Sequence, residues 1–360
     1  MRARPHWLNI RLRTRPDRYW LAAVRFEQYD PKTDERQLRA CHDMIVAAQP
    51  TDDPNVPPPS LPVLRGWLGY AFAGEPQQCW LATAESGTPL GSYALGLPER
   101  ENRDNGFVEL LAAAGSRRRG IGTALLAHAA GQASQAGRGL LMGGARLDGP
   151  GIAFAEAIGA TAGLQDARRI LDIGPGLHAK LPGLRGSAAE HAAGYSLRQW
   201  TGLTPDDEVG GVCQLYTALA DAPHDAVVEP VIWDPPRLRA AEQRSVVQGT
   251  RDYSIAAIHD QTGDMAALTQ VGVDPAGEPG WAYQQITAVT RAHRGHRLGM
   301  LLKVAMLEWL AVAEPQIRQI MTFNAVPNEH MIAVNEALGH RVSDYFQSFE
   351  LPVETALKLA

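Results

Sequence analysis

The clearest structural signal in the chain is the segment Val289-Thr290-Arg291-Ala292-His293-Arg294-Gly295-His296-Arg297-Leu298-Gly299-Met300-Leu301-Leu302-Lys303. The residues before it, Tyr283 to Val289, alternate with β-branched and aromatic side chains as a half-buried strand does. After the turn, apolar residues recur at helical spacing, namely Leu298, Leu301, Leu302, Ala305, Met306, Trp309 and Leu310. The pattern predicts a strand, a tight cationic turn and the start of a helix.

The predicted turn is a helix N-terminus, which presents unpaired backbone N–H groups and the positive end of the helix dipole. Such an end favours a phosphate or pyrophosphate, and Arg294, His296 and Arg297 add positive charge. Gly295 and Gly299 let the backbone approach an anion closely. The alternative is an ordinary strand-to-helix turn without a ligand, which this segment alone does not exclude.

A second copy of the pattern occurs earlier, in Glu109-Leu110-Leu111-Ala112-Ala113-Ala114-Gly115-Ser116-Arg117-Arg118-Arg119-Gly120-Ile121-Gly122-Thr123-Ala124-Leu125-Leu126. It again reads as an apolar strand, a basic glycine turn and a helix with one apolar face. Because the same arrangement occurs twice, roughly half the chain apart, it favours an internal duplication over one large fold.

Both copies resemble the acyl-CoA-binding signature of the GCN5-related N-acetyltransferase (GNAT) family, Arg/Gln-x-x-Gly-x-Gly/Ala. The first copy, Arg117-x-x-Gly120-x-Gly122, matches the signature fully. In the second copy, Arg294-x-x-Arg297-x-Gly299, an arginine replaces the middle glycine. The resemblance implies that acetyl-CoA is the co-substrate and that its pyrophosphate lies against one or both of these turns.

The resemblance also implies an α/β (α+β) fold of two tandem domains. Each would be a mixed β-sheet flanked by helices, splayed where the strand before the glycine turn leaves its neighbour and makes room for acyl-CoA. We predict an N-terminal domain at 1–180, closed by a strand from Arg168 to Ile173, and a C-terminal domain at 195–360. Residues 181–194 are the predicted linker, in a glycine- and proline-rich stretch that begins at Gly174. This arrangement resembles two-domain members of the family such as mycothiol synthase.

The composition excludes several functional classes. Hydrophobic residues at 45% and charged residues at 20% are typical of a globular protein. The net charge of −5 gives no general attraction to nucleic acid. No apolar run approaches the length of a membrane span, and no signal-peptide core follows the N-terminus. Cys41, Cys79 and Cys213 lack metal-ligand spacing, so we expect no metal site and a reducing, cytoplasmic environment.

A further segment, residues 324–340, resembles the family pattern Asn-x-x-Ala-x-x-x-Tyr-x-x-Leu-Gly-Phe. In the family this segment lies along the pantetheine arm of acyl-CoA and carries a tyrosine often used as general acid. Asn328 and Leu338-Gly339 match the pattern. Asn335 stands at the tyrosine position and His340 at the phenylalanine position, so the usual proton donor is missing.

Several groups are candidates to replace the missing proton donor: Tyr345, Tyr283 and water. The asparagines of the segment, Asn324, Asn328 and Asn335, are interpreted as cofactor contacts because they occupy matching places in a wider pattern. Helix capping and ordinary polar surface are the alternatives for these three residues.

Acyl transfer to an amine needs a neutral amine, a polarised carbonyl and a route for a proton to the departing thiolate. Glu229 and Asp234, which flank Trp233, are candidate bases in the C-terminal domain, and Glu109 is the candidate in the N-terminal domain. The alternative for each carboxylate is an ordinary surface or capping acid. The backbone N–H of Val289 is the expected partner of the carbonyl.

The sequence therefore predicts an acyl-CoA-dependent N-acyltransferase that transfers an acetyl group to a small-molecule amine by direct attack. A non-catalytic acyl-CoA-binding module and a CoA-dependent reaction other than N-acetylation remain open, as does the oligomeric state. We expect the C-terminal domain to hold the active site, because it keeps the asparagine-bearing segment. The expected cofactor contacts there are Val289, Arg294, Gly295, His296, Arg297, Leu298, Gly299, Asn324 and Asn328, with Arg117, Gly120 and Gly122 as their counterparts in the first copy.

Overall fold

A computed structural model describes residues 6–8, 24–70, 72–219 and 223–359 of the chain. The contacts between these residues divide the chain into two compact units. We call Met1–Gly163 together with Phe346–Ala360 the N-terminal unit, and Leu164–Tyr345 the C-terminal unit. The division of the sequence at 180 and 195 stays a prediction about the duplicated segments.

The elements of the first part of the chain are β1 (His6–Leu8), β2 (Val24–Tyr29), α1 (Glu35–Asp52), α2 (Leu61–Gly69), β3 (Gln77–Thr83), β4 (Pro89–Gly96), β5 (Asn105–Ala112), α3 (Ile121–Gln135), β6 (Leu140–Arg146), α4 (Pro150–Ala157) and β7 (Thr161–Asp172). Those of the second part are α5 (Pro175–Ala189), β8 (Tyr195–Thr201), α6 (Val209–Ala218), α7 (Pro235–Gln248), β9 (Arg251–His259), β10 (Met265–Val273), β11 (Trp281–Val289), α8 (Leu298–Ala313), β12 (Gln319–Ala325), α9 (Glu329–Leu338), β13 (Arg341–Pro352) and α10 (Val353–Leu357).

The sheet of the N-terminal unit has the strand order β1-β2-β3-β4-β5-β6-β13. Its strands pair antiparallel except for β5 and β6, which are parallel. Helices cover both faces of this sheet. Because successive residues of a strand point to opposite faces, neighbouring residues contact different helices. Trp80 and Ala82 pack in the core with α3 and α10, whereas Cys79 and Leu81 pack with α1 and α2.

The sheet of the C-terminal unit has the order β7-β12-β11-β10-β9-β8, and its one parallel pair is β11 with β12. One face packs against α5 and α8, and Val271 of β10 lies in that core. The neighbouring residue Gln270 accepts a hydrogen bond from Tyr216 of α6. Because adjacent residues alternate, α6 covers the opposite face. We call these the α8 face and the α6 face.

The parallel strands of both units separate after a short ladder. In the C-terminal unit the ladder joins Trp281–Tyr283 to Gln319–Met321, although the strands continue to Val289 and Ala325. In the N-terminal unit it likewise stops after three residues of β5 and β6. The predicted fold class, two GNAT-like domains with mixed and splayed sheets, is therefore confirmed. We call the opening between β11 and β12 the strand gap.

Helix α5 occupies a stretch that we expected to be a linker. Pro175 lies in its first turn, where a backbone N–H is not needed for the helix. Leu177, Leu181 and Ala188 are buried in the core shared with α8. The glycines and prolines of this stretch therefore do not prevent a helix, because one apolar face is covered by a neighbour.

Strand β7 also differs from the expectation. The segment from Arg168 to Ile173, expected to close the sheet of the N-terminal domain, pairs antiparallel with β12 in the C-terminal unit. The corresponding place in the N-terminal unit, beside β6, is taken by the second half of β13. Local sequence predicts a strand at such a position but does not specify which partner strand it will meet. Among the described residues, no helix is long and apolar enough to cross a membrane.

Candidate functional site

The second glycine loop, residues 290–297, connects β11 to α8. Arg291–His293 forms one turn of 3₁₀ helix, and Gly295 has a φ of 90°. Arg297 caps α8 with a φ of 52°, and its carbonyl accepts the first helical bond from the Leu301 N–H at 3.0 Å. The backbone N–H groups of the first turn of α8 thus lie at the end of the loop, as an anion site requires.

The first glycine loop, residues 113–120, repeats this backbone geometry. Gly120 caps α3 with a φ of 83°, at the place that Arg297 takes in the second loop. Arg118 has a φ of 60°, at the place that Gly295 takes. Each loop therefore has two residues in the left-handed region, one a glycine and one an arginine.

The same correspondence holds for the first arginine of each signature. The Nε of Arg117 donates to the carbonyl of Ala112 at 3.1 Å. The Nε of Arg294 makes the equivalent bond to the carbonyl of Val289 at 3.4 Å. This arginine therefore ties the loop to the end of its strand in both units.

Replacing Arg297 with glycine is expected to raise the free energy of unfolding by about 0.5 to 1 kcal/mol. A residue with a side chain is strained in the left-handed region, and glycine relieves this strain. The gain exceeds the loss of the hydrogen bond from Arg297 Nη1 to Ser187 Oγ, because this bond lies at the exposed surface. Gly120→Arg, the opposite change in the first loop, should lower stability by a similar amount. Urea unfolding of both variants checks this, and a less stable Arg297→Gly would contradict it.

The first glycine loop is blocked by side chains of its own unit. The Nη1 and Nη2 atoms of Arg117 donate to the two carboxylate oxygens of Asp52 at 2.7 and 2.6 Å. A Cβ placed on Gly122 would lie 3.2 Å from a ring carbon of Phe154 on α4. The arginine of this signature is thus already paired with a carboxylate, and an aromatic ring lies against Gly122.

The second glycine loop is open at the corresponding place. A Cβ placed on Gly299 would meet a single neighbouring atom, Thr287 Cγ2, at 4.0 Å. The Nη1 of Arg297 donates to Ser187 Oγ at 2.6 Å, and the Nδ1 of His296 contacts the His191 carbonyl at 3.2 Å. Both side chains therefore extend toward the end of α5, so the backbone amides of the first turn of α8 are left to meet an anion.

The backbone of β11 presents polar groups to the strand gap. The Thr290 N–H donates to the carbonyl of Ala266 on β10 at 2.9 Å. Because N–H groups in an antiparallel ladder alternate between the two sides of a strand, the N–H of Val289 and that of Thr287 point away from β10. They point into the strand gap. The N–H of Val289 is the group that we predicted from the sequence as the partner of the acyl carbonyl.

The asparagines of the 324–340 segment take two different roles. Asn328 caps α9 by accepting from the Met331 N–H at 3.3 Å. Asn335 is fully buried; its Nδ2 donates to Asn324 Oδ1 at 2.6 Å, while its own Oδ1 has no hydrogen-bond partner among the described residues. The Nδ1 of His340 bonds to the Asn335 carbonyl at 3.1 Å, and burial lowers the pKa of His340 to about 3. An unsatisfied amide oxygen thus lies at the tyrosine position.

The remaining catalytic candidates lie on separate elements. Asp234 caps α7 by accepting from the Arg237 N–H at 2.9 Å, which matches the capping alternative. Glu229 is exposed in the same connection between α6 and α7, and Glu109 is exposed on β5 of the N-terminal unit. Tyr345 is 42% exposed on β13. Their catalytic roles stay predictions.

A group of polar side chains on the α6 face was not predicted from the sequence. Gln285 Nε2 donates to Asp252 Oδ1 at 2.9 Å, and the Tyr216 hydroxyl donates to Gln270 Oε1 at 2.6 Å. Burial raises the pKa of the Asp252 carboxyl above its usual range. The pair Gln284-Gln285 is the one signal in the sequence, because it breaks the alternation of β11, and a β-bulge occurs there.

Two cavities lie elsewhere in the C-terminal unit. One of about 550 Å³ is lined by residues of α5, β8 and α8, including Arg185 and Trp309. The other, of about 420 Å³, lies between the start of α5 and the end of α8. Neither is lined by a residue of the second glycine loop, so enclosed volume does not identify the candidate site, which is defined by separated strands and a helix N-terminus.

Solved structures resemble the chain over nearly its full length. A tandem GNAT protein from the clavulanic acid biosynthesis pathway is 30% identical, with 92% of this chain and 98% of that chain covered and a TM-score of 0.74. A GCN5-related N-acetyltransferase from Sphaerobacter thermophilus is 15% identical, with 92% and 96% covered and a TM-score of 0.62, which shows the fold alone. No family model and no curated protein sequence matches the chain.

Proposed function

The chain belongs to the GCN5-related N-acetyltransferase (GNAT) family, and we propose that it transfers an acetyl group from acetyl-CoA to an amine of a small molecule. One observation carries the proposal: β11 and β12 separate toward a helix N-terminus whose Gly299 faces open space. Free backbone N–H groups and a glycine without steric neighbours suit a pyrophosphate, and parted strands suit the extended pantetheine arm.

The C-terminal unit is the proposed working site. In the second glycine loop the anion would be held by backbone N–H groups of residues 295–299 and by Arg294, with the pantetheine arm along Val289 and Asn324. In the first loop, Arg117 already pairs with Asp52. The arginine of the first signature is thus neutralised by a carboxylate that would also repel a phosphate. This supports a structural role for the N-terminal unit.

The proposed reaction needs few protein groups beyond positioning. The N–H of Val289 or Thr287 would polarise the carbonyl from the strand gap, and the acceptor would approach from the α6 face, where the amide of Gln285 and the buried carboxyl of Asp252 meet. Glu229 and Asp234 are retained as proposed carboxylates of the acceptor wall. Acidic groups there would favour a cationic amine as the acceptor.

A non-catalytic acyl-CoA-binding protein is the second candidate function. Its support is Asn335, which places an amide where the family has its tyrosine and leaves the usual general acid absent. A pocket of this kind could bind acyl-CoA without turning it over. The two candidates differ in whether thiol is released when an amine is present.

The test is to incubate the purified full-length protein with acetyl-CoA and a panel of small amines while following the release of free thiol. We expect saturable binding of acetyl-CoA by calorimetry and amine-dependent thiol release with at least one amine. Binding without release for any amine would favour the non-catalytic function. Failure to bind acetyl-CoA, CoA or other common acyl-CoAs would overturn both.

A further inference from the structure

Lys303 is a lysine buried inside the C-terminal unit. It lies on α8, one turn after Gly299, and 3% of its surface is exposed. Its ammonium donates a hydrogen bond to Gln284 Oε1 at 3.0 Å, and no carboxylate of the described residues pairs with it. A buried ammonium without a carboxylate partner is unfavourable for folding. Ionisable groups with strongly perturbed environments are concentrated at functional sites.

The position of Lys303 relates it to the proposed reaction. Gln284, its partner, directly follows the last residue of β11 that pairs with β12, and its amide also donates to the Ile286 carbonyl at 2.8 Å, so the ammonium lies beside the stretch of β11 where the strand gap begins. The ammonium is also close enough to His340 to lower the pKa of that imidazole, in addition to the larger effect of burial. His340 in turn bonds to the carbonyl of Asn335, the residue at the tyrosine position.

We propose that Lys303 is the general acid that protonates the departing thiolate of CoA, in place of the tyrosine that Asn335 replaces. The proposal rests on the proposed function and concerns the same site. Asn335 has no proton to give at neutral pH, because a carboxamide does not ionise. Lys303 reaches β11 beside this gap from α8, with a side chain that carries a transferable proton.

The proton transfer balances within one turnover. The acceptor nitrogen forms a bond to the acyl carbon, and the electron pair of the carbon–sulfur bond passes to sulfur. The proton on Lys303 Nζ moves to that sulfur, so CoA leaves as a thiol. The new amide nitrogen releases its extra proton to water, and the neutral Lys303 amine takes a proton from solvent. The lysine ends in its starting state.

The acidity of Lys303 suits this transfer. Burial lowers the pKa of Lys303 to about 7. An alkyl thiol has a pKa of about 8.5, so passage of a proton from this ammonium to the thiolate is favourable. An acid with a pKa near the working pH combines a substantial protonated fraction with a useful driving force.

Few other charged groups face the ammonium. His340 stays neutral through the neutral range, because burial lowers its pKa to about 3. Arg169 of β7 also acts on His340, and it pairs with Glu336 of α9 at 3.4 Å. From α5, Arg185 pairs with Glu308 on the outer side of α8. A change of rate between about pH 6 and 9 that depends on residue 303 therefore reports the titration of Lys303.

The experiment compares the full-length wild type with Lys303→Met and Lys303→Arg, using acetyl-CoA and an amine that the panel identifies. We expect kcat to fall by about 100-fold to 1,000-fold in both variants, while the Kd of acetyl-CoA stays within about threefold. The melting temperature of Lys303→Met should not fall, because the change removes a buried charge. Lys180→Met, an exposed lysine of α5 in the same unit, is the control and should keep the wild-type rate.

Two further measurements separate an acid from a structural residue. The wild-type kcat should decline above about pH 7 as the ammonium loses its proton, and Lys303→Met should lack this limb. An aromatic thiolate is a stable leaving group that does not need a proton. With an acetyl thioester of an aromatic thiol, Lys303→Met should therefore retain far more of the wild-type rate. Equal losses with both thioesters, or a Lys303→Met kcat within about threefold of wild type, would overturn the assignment. No transfer by the wild type would overturn the proposed function and this proposal together.

Discussion

Replacement of Gly299 with aspartate is expected to abolish saturable acetyl-CoA binding while the protein remains folded. The new Cβ meets one atom, Thr287 Cγ2, at 4.0 Å, and the backbone there is not in the left-handed region. An acidic residue in the first turn of a helix is also favourable for the helix. The carboxylate would, however, face the pyrophosphate, and like charges at contact cost several kcal/mol, so the affinity should fall by about 100-fold or more. Calorimetry with acetyl-CoA measures the effect.

Two control variants make the result specific to charge at the second glycine loop. Gly299→Ala adds the same Cβ without charge and should bind acetyl-CoA nearly as well as the wild type, since the family signature accepts alanine at this position. Gly122→Asp brings a side chain within 3.2 Å of the Phe154 ring, so it should lower the melting temperature and leave affinity unchanged. If Gly122→Asp stays folded but loses binding while Gly299→Asp keeps it, the working site is in the N-terminal unit.

The fold could be predicted because its deciding features are local. The turn between β11 and α8 shows the change from alternating to helical periodicity within fifteen residues, and the same change recurs between β5 and α3. The splay of the strands could be inferred only through the family resemblance. No residue of β11 or β12 marks by its type the point after Tyr283 where pairing stops.

The partners of the strands and the helix α5 could not be predicted for a physical reason. Pro175, Pro182 and three glycines make the sequence of α5 a poor helix by propensity. Its helical state comes from burial of Leu177 and Leu181 against α8, which is a tertiary effect. In the same way, β7 is a strand by sequence, but its pairing with β12 depends on the contacts of a distant segment.

The proposed site residues that belong to a motif could be named from the sequence, whereas those proposed because they are buried could not. Gly299 and Asn324 belong to recognisable patterns. Lys303 lies between Leu302 and Val304 in a helix whose periodicity alone would allow a solvent-facing lysine. Its burial becomes apparent only when α8 is placed over Gln284. Asp252 is likewise an ordinary residue at a strand start until Gln285 reaches it across the sheet.

Replacement of Asp344 with asparagine is expected to cause the largest loss of stability, about 3 kcal/mol or more. Arg168 is 1% exposed and Asp344 is 3% exposed, and the Nε and Nη2 atoms of Arg168 donate to Asp344 Oδ2 at 2.9 and 2.5 Å. Without the carboxylate, the guanidinium is left as a buried charge that cannot lose its proton. Urea unfolding of the variant measures the change, which should be insensitive to added salt because the pair is shielded from solvent.

The matched control is a second pair on the same two strands, Asp172 with Arg341, whose atoms lie 3.1 Å apart and whose side chains are more than half exposed. Asp172→Asn should cost less than about 1 kcal/mol, and added salt should reduce the difference from wild type further. Removal of both buried charges, by Arg168→Met with Asp344→Leu, should cost less than Asp344→Asn alone, because no unpaired charge is left. Equal losses for Asp344→Asn and Asp172→Asn would contradict this prediction. They would show that water reaches the pair of Arg168 and Asp344, since a charge tolerates the loss of its partner only when solvent can take the partner's place.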